Sequence, residues 1–208
     1  MTPRQYSISS SPRWNPEHAT LTVAVLNEPA RSGAGTYEGA ASNHLAQALP
    51  GSKVAVTVRP SNVAFHPPEL DVPLVLVCAG SGIAPFRGFL QDRALAAAEQ
   101  GVRTAPALLF FGCHGPESDQ LYRTSWPSGR RPEWSTCGRA YSAEPVGGVR
   151  YVQDRLWADR AEVAELVERG ATVFVCGDGQ RMAPAVHRTC AGSTRRSPVR
   201  TRSRPRSG

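Results

Sequence analysis

The sequence predicts an α/β fold, a small β-rich part followed by a doubly wound parallel sheet. Three observations predict it. The stretches LVLVC (74–78), ALLFFGC (107–113) and ATVFVCG (171–177) are continuous apolar runs of strand length, as strands covered on both faces require. Between and after them lie stretches with helical spacing, APFRGFLQDRALAAAEQG (84–101), YVQDRLWADRAEVAELVERG (151–170) and QRMAPAVHRTCA (180–191). Such alternation implies parallel strands with helices on both faces. Finally, a glycine loop joins the first run to the first helix, the place where open parallel sheets bind nucleotides.

Before that sheet the pattern is different. Gln5 to Ser9 can form a strand, and Leu21 to Leu26 (LTVAVL) reads as a better one. GTYEG (35–39) reads as a glycine-rich turn. AASNHLAQAL (40–49) has helical spacing, with Ala41, Leu45 and Leu49 on one side, and Pro50-Gly51 ends it. KVAVTV (53–58) alternates as a strand, and the proline-rich stretch from Pro60 to Pro73 reads as a boundary. The expected division is 1–70, 71–191 and a basic, disordered tail at 192–208.

Composition removes several function classes. The net charge is +7, but Arg195, Arg196, Arg200, Arg202, Arg204 and Arg206 all lie in the tail, with no acid among them. The rest is nearly neutral, so a nucleic-acid reading rests on the tail alone and is not favoured. Five cysteines without a C-x-x-C pair indicate neither a disulfide framework nor a metal site. No apolar run approaches ~18 residues, so the sequence predicts no membrane span, and a cytoplasmic, reducing setting fits best.

Four motifs carry chemistry. RQYSISSSP (4–12) sets Arg4, Tyr6 and Ser7 close together, able to pair with a phosphate, stack on a heterocycle and hydrogen-bond a ring nitrogen. The bland reading is a polar strand. GAAS (39–42) opens a helix, whose free N–H groups suit a phosphate; the bland reading is an ordinary helix start. In AGSGIAPFRGF (79–89), Pro85 stands where a strict G-x-G-x-x-G fingerprint has its third glycine. Proline is harmless in a first helical turn, so Pro85 marks the helix start. In FVCGDGQRMAP (174–184), Cys176 ends a strand on the ligand edge, where a thiol could touch a reacting ring; the bland reading is a small buried apolar residue.

In order, R-x-Y-S, G-x-x-S, G-x-G-x-A-P-F-R-G-F, F-F-G-C, Y-S, Y-V-Q and C-G-D-G-x-x-M-A-P resemble the FAD- and NADPH-binding half of the NADPH–cytochrome P450 reductase (diflavin reductase) family. The match covers 4–124 and 139–191, and CAGSGIAPFRGFLQDR most resembles the reductase part of bacterial self-sufficient P450 fusions. The resemblance implies a ferredoxin-reductase-like fold: an incomplete antiparallel FAD-binding barrel, then the NADP-binding sheet. It implies FAD contacts from Arg4, Gln5, Tyr6 and Ser7, from the strand at Thr22, Val23 and Ala24, and from Gly39, Ala40, Ala41 and Ser42. It implies NADPH contacts from Gly80, Ser81, Gly82, Ile83, Ala84 and Pro85, and along the adenosine end from Ser142, Arg150, Tyr151 and Gln153. Cys176, Gly177 and Asp178 would border the nicotinamide, with Ser7 and Cys176 as the catalytic pair. The implied reaction is hydride transfer from NADPH to FAD. Electrons would then pass to an FMN domain outside this sequence and a haem protein such as a P450, in the same parent polypeptide.

The sequence departs from that pattern in places. The family's arginine after Ser142 is Ala143, and its lysine before the tyrosine is Val149, with Arg150 adjacent. The resemblance implies barrel strands, a connecting domain and an FMN domain before R-x-Y-S and a further segment at the C-terminal end, all expected outside this sequence. SWPSGRRPEWSTCG (125–138) stands where a helix and strand are expected, yet Pro127, Gly129 and Pro132 make a poor helix. It reads either as a divergent loop or as a reading-frame slip. Back-translated with GC-rich codons and one restored base, it becomes E-L-A-E-W-E-A-A-G-V-V-D-V-R, a helix, a glycine stop and a strand. The start of the tail shifts in the same way to R-I-Y-A-E-V-A-G-A, a continuation of the last helix.

Overall fold

The structure is a computed structural model that describes residues 3–60, 65–122, 134–193 and 201–203, with backbone alone at 134–137, 192–193 and 201–203. Its N-terminal part holds an antiparallel pair, β1 (Asn27–Pro29) and β2 (Thr36–Glu38), followed by the short helix α1 (Ala40–Ala46). GTYEG, expected as a turn, thus supplies β2. The strands expected at 5–9 and 21–26 share one antiparallel bridge, Ile8 to Leu21, and 53–58 has no strand. The alternating pattern is present at all three. A ladder also needs a continuous partner edge for its N–H and C=O groups, and beyond that one bridge no ladder forms on them among the described residues. Val56 and Val58 accordingly stand 74 % and 75 % exposed.

The α/β part forms as the apolar runs require. In chain order it comprises β3 (Leu74–Ala79), α2 (Ala84–Gln100), β4 (Ala107–Cys113), β5 (Trp134–Tyr141), α3 (Val152–Ala158), α4 (Arg160–Glu168), β6 (Thr172–Cys176), α5 (Met182–Ser193) and β7 (Thr201–Ser203). The five strands are all parallel, in the order β5-β4-β3-β6-β7. Side chains alternate across this sheet. Leu74, Leu76 and Cys78 face α2 and meet Ile83, Phe86 and Leu90. Val75 and Val77 face α3, α4 and α5 and meet Leu156, Val163 and Val186. Both faces are dry, which is why the runs carry no polar alternation.

Two details refine the expected helices. The segment 151–170 divides at Asp159, whose carboxylate takes the Arg155 guanidinium through two bonds of 2.7 Å. The Asp159 carbonyl then starts α4, accepting from Glu162 and Val163 at 3.1 and 3.2 Å. The proline-rich boundary is anchored by Phe65, whose ring packs on Phe86, Phe89 and Phe174 at centroid distances of 6.1, 5.6 and 5.4 Å. Of the irregular stretches, 123–133 lies outside the described residues, while 134–138 runs in β5 beside β4 with a register shift between Leu108 and Phe110. Of the tail, 192–193 continue α5 and 201–203 lie along β6; the rest is outside the described residues.

Candidate functional site

The chain runs from β3 outward through β4 to β5, then crosses back to place β6 on the other side of β3. The switch point of the sheet therefore lies between β3 and β6, and open sheets of this kind take ligands in a crevice at the carboxyl ends of the strands there. Cys78 pairs with Cys176 at that end. Both loops that border the crevice, 80–83 and 177–181, come from motifs singled out in the sequence. Gly80 to Ile83 make one 3-10 turn, and Pro85 lies in the first turn of α2, where its missing N–H costs nothing. Gly82 is pressed against β6: a Cβ built on it lies 2.3 Å from the Cys176 carbonyl oxygen and 2.8 Å from its carbon. Only glycine permits that approach.

Across the crevice, Asp178 caps the start of α5. Its Oδ1 accepts from the backbone of Gln180 at 2.8 Å, and its carbonyl accepts from Met182 and Ala183 at 3.0 Å each. Cys176 is half-buried, with its side chain on the α2 face. Cys78 beside it is fully buried, and burial, with Cys176 and Cys113 nearby, pushes its thiol well above the usual range. Burial also pushes Cys190 up to about 11. These are inert thiols of the core.

A second group forms at the ends of β4 and β5. The Ser142 N–H donates to the Cys113 carbonyl at 2.9 Å, which extends the pairing past the strands. Arg150 Nε donates to the Ser142 carbonyl at 3.2 Å, and the guanidinium lies 5.6 Å from the Tyr151 ring centroid. Asp154 on α3 accepts from the backbone N–H groups of Tyr151 and Arg150 at 2.8 and 3.2 Å. Ser142, Arg150 and Tyr151 are thus brought together with the guanidinium exposed, and Gln153 follows half-buried in α3.

The N-terminal motifs are placed differently. Arg4 and Gln5 are exposed, Tyr6 and Ser7 half-buried, Thr22 and Val23 half-buried and Ala24 exposed. Gly39 precedes α1, and its N–H donates to the Leu26 carbonyl at 2.8 Å. Ser42 is buried, and its hydroxyl is taken by the Leu26 N–H and the Gly39 carbonyl, both at 3.1 Å. What this turn offers an anion is therefore the first N–H groups of the helix, at Ala40 and Ala41.

Sequence reasoning missed one group on the ligand edge. After β4, Asp119 accepts from the N–H groups of His114 and Gly115 at 2.8 and 3.0 Å, from the Ser118 hydroxyl at 3.1 Å and from His114 Nδ1 at 3.0 Å. Burial pushes its carboxyl up, but these donors outweigh burial and hold it down at about 2. Burial and the Asp119 carboxylate together push the Cys113 thiol to about 11. The signal was an aspartate a few residues past a buried strand, in a Gly-Pro-rich loop. Its folded pKa lies below the unfolded value of about 3.9. The stabilisation is therefore present above about pH 4 and lost as the pH falls toward 2. Replacing Asp119 by Ala should cost about 1–2 kcal/mol at pH 7 and flatten the acid limb of stability in that window, as read by urea unfolding at several pH values. An unchanged acid limb would show that the knot carries no stability.

Comparison with known proteins agrees with this geometry. Residues 76–188 match the family model described as the oxidoreductase NAD-binding domain. The chain is 47 % identical over 192 residues to a self-sufficient cytochrome P450 monooxygenase of Exserohilum turcicum, covering 89 % of this chain and 18 % of that protein. A second such monooxygenase, of Oidiodendron maius, is 50 % identical over 190 residues, with 88 % and 17 % covered. A bifunctional cytochrome P450/NADPH–P450 reductase of Bacillus subtilis is 42 % identical over 193 residues, with 91 % and 18 % covered. The chain thus spans less than a fifth of the length of these relatives. The match over 76–188, more than half of the chain, on a parallel sheet with its switch point between β3 and β6, makes it a member of the oxidoreductase NAD-binding domain family, similar in sequence to P450/NADPH–P450 reductase fusions.

Proposed function

We propose that this chain binds NADPH at the carboxyl edge of its parallel sheet and FAD beside it, for hydride transfer from one to the other. The carrying observation is the approach of Gly82 to the Cys176 backbone, which sets the glycine loop against the end of β6 at the switch point, where such sheets bind nucleotides. When bound, NADPH would supply a hydride that FAD accepts and passes on as single electrons. The loop from Gly80 to Pro85 would hold the nucleotide phosphates at the start of α2, and Cys176, Gly177 and Asp178 would border the nicotinamide. Ser142, Arg150, Tyr151 and Gln153 would hold the adenosine end, with the exposed Arg150 guanidinium facing a 2′-phosphate. Arg4, Gln5, Tyr6 and Ser7, with Thr22 to Ala24 and Gly39 to Ser42, would hold the flavin. Ser7 and Cys176 would orient the two rings. The electron acceptors would be an FMN domain and a haem protein of the same polypeptide, in the cytoplasm. No helix among the described residues is long and apolar enough to cross a membrane.

A second reading is favoured by the exposed Val54, Val56 and Val58 and by the missing ladders at 5–9 and 21–26. On that reading the chain is an inactive remnant that binds NADPH but not FAD. Flavin titration followed by NADPH addition separates the two. Flavin retention with NADPH-driven bleaching supports the first, and NADPH binding without flavin retention the second. Arg150→Ala should weaken 2′,5′-ADP binding about tenfold while leaving 5′-AMP unaffected. Equal loss for both ligands would remove Arg150 from the phosphate position.

A further inference from the structure

Arg87 stands one turn into α2, next to the buried Phe86. Its Nη1 donates to the Ser9 carbonyl at 2.6 Å and lies 3.5 Å from Thr20 Oγ1. Its guanidinium carbon lies 4.8 Å from the Tyr122 ring centroid. The Tyr122 hydroxyl in turn shares a hydrogen bond with the Thr22 hydroxyl. Two features show that this arrangement is held against local preference. Tyr122 has φ 61°, a conformation that bulky residues rarely adopt. Arg87 Nε is buried with no partner among the described residues, so the guanidinium is oriented by its stack and by one edge only.

The neighbouring bonds make this a seam. The Ser9 N–H donates to the Thr20 carbonyl at 2.7 Å, the two hydroxyls lie 2.8 Å apart, and the Thr20 N–H donates to Ser10 Oγ at 3.0 Å. One turn further along α2, Gln91 accepts from the Ser11 N–H at 2.9 Å, and Asp92 accepts from the Ser11 hydroxyl at 2.6 Å. The segment 9–11, itself buried, is therefore read by one polar face of α2.

We propose that Arg87 is a positioning residue, which fixes the stretches 4–7 and 22–24 relative to the loop 80–83. It grips the first stretch through Ser9 and the second through Tyr122 and Thr22. Only the first turn of α2, about 5 Å of rigid helix, separates it from the loop. A lysine would keep the charge but lose both the planar stack and the directed fork. The proposal rests on the reading that those two stretches hold FAD and that loop holds NADPH.

The test uses the full chain with Arg87→Met and Arg87→Lys, and two readouts. Hydrogen exchange reads the clamp without any cofactor. In Arg87→Met, protection of the Ser9 and Thr20 amides should fall by about tenfold or more, while amides of β3 and β4 keep theirs. Unchanged protection at Ser9 and Thr20 would overturn the clamp itself. Single-turnover flavin reduction at saturating NADPH reads its consequence. The limiting rate should fall about tenfold in Arg87→Met, with 2′,5′-ADP affinity within about twofold, because a small misplacement of reacting groups is costly in rate and not in binding. Arg87→Lys should recover part of it. A loosened seam with an unchanged limiting rate would overturn the positioning role. If the unmodified chain binds neither FAD nor 2′,5′-ADP, the functional reading fails, and with it the positioning role; the exchange data still decide the clamp.

Discussion

Gly82→Ala should destabilise the protein by about 3 kcal/mol, the upper range for a forced overpacking, and should abolish any nucleotide binding at the crevice. The added methyl would sit 2.3 Å from the carbonyl oxygen of Cys176 and 3.2 Å from the Cα of Gly177. Both are backbone atoms of a strand end and its loop, so no side chain can swing aside. Relief requires β6 and the 80–83 turn to part, which opens the crevice and breaks the last pairing of Cys78 with Cys176. Gly80→Ala is the control. Gly80 has φ 53° and nothing within 4 Å of a built Cβ, so it should cost only the left-handed backbone, about 1 kcal/mol. Urea unfolding of both variants makes the comparison. Gly82 has no positive φ, so equal costs would mean that a small shift of the loop relieves the close approach.

Arg93→Met should cost on the order of 4 kcal/mol, since a buried guanidinium is lost and several part-buried acceptors each lose a charged donor. Arg93 is 3 % exposed. Its Nη1 donates to the Glu69 carbonyl at 3.0 Å, and its Nη2 to the carbonyls of Leu70, Val72 and Ala105 at 3.0, 3.2 and 3.3 Å. Burial pushes its guanidinium down from the ordinary range, with Asp71 acting in the opposite direction. The side chain ties the approach to β3 and the approach to β4 onto one point of α2. Without it, those carbonyls face an apolar side chain; those of Glu69 and Leu70 keep a second donor, the Val72 N–H at 3.2 Å and the Ala105 N–H at 2.7 Å. Arg93→Lys should regain part of the loss, because an ammonium cannot spread over four acceptors. Thermal unfolding of the three proteins checks this; a loss under ~1 kcal/mol in Arg93→Met would mean that water satisfies the carbonyls.

Arg87 and Arg93 lie on the same helix; the sequence placed Arg87 within the glycine-loop motif and Arg93 in a helical stretch, and it marked no partner for either. Their partners are backbone carbonyls, which every residue carries and no motif marks. The same holds for Asp119, whose role comes from N–H groups that converge on it. By contrast, the loop 79–89 was legible, because its glycines and Pro85 answer local demands of a turn and a helix start.

The sequence alone determined the three central strands of the α/β half and the helices that follow them; the edge strands β5 and β7 carry no such apolar run. Continuous apolar runs must be buried on both faces, and helices of the right spacing between them allow little except a parallel sheet. For the first sixty residues alternation was legible, but a strand is a relation between two segments, and alternation names a face without naming a partner. Tertiary structure alone decided that the Gly82 turn meets Cys176, 94 positions later, that Arg150 bridges Ser142 and Tyr151, and that Arg87 reaches Ser9. Each contact depends on strand order and crossover, and these follow from how the whole sheet packs. No local period in the chain encodes them.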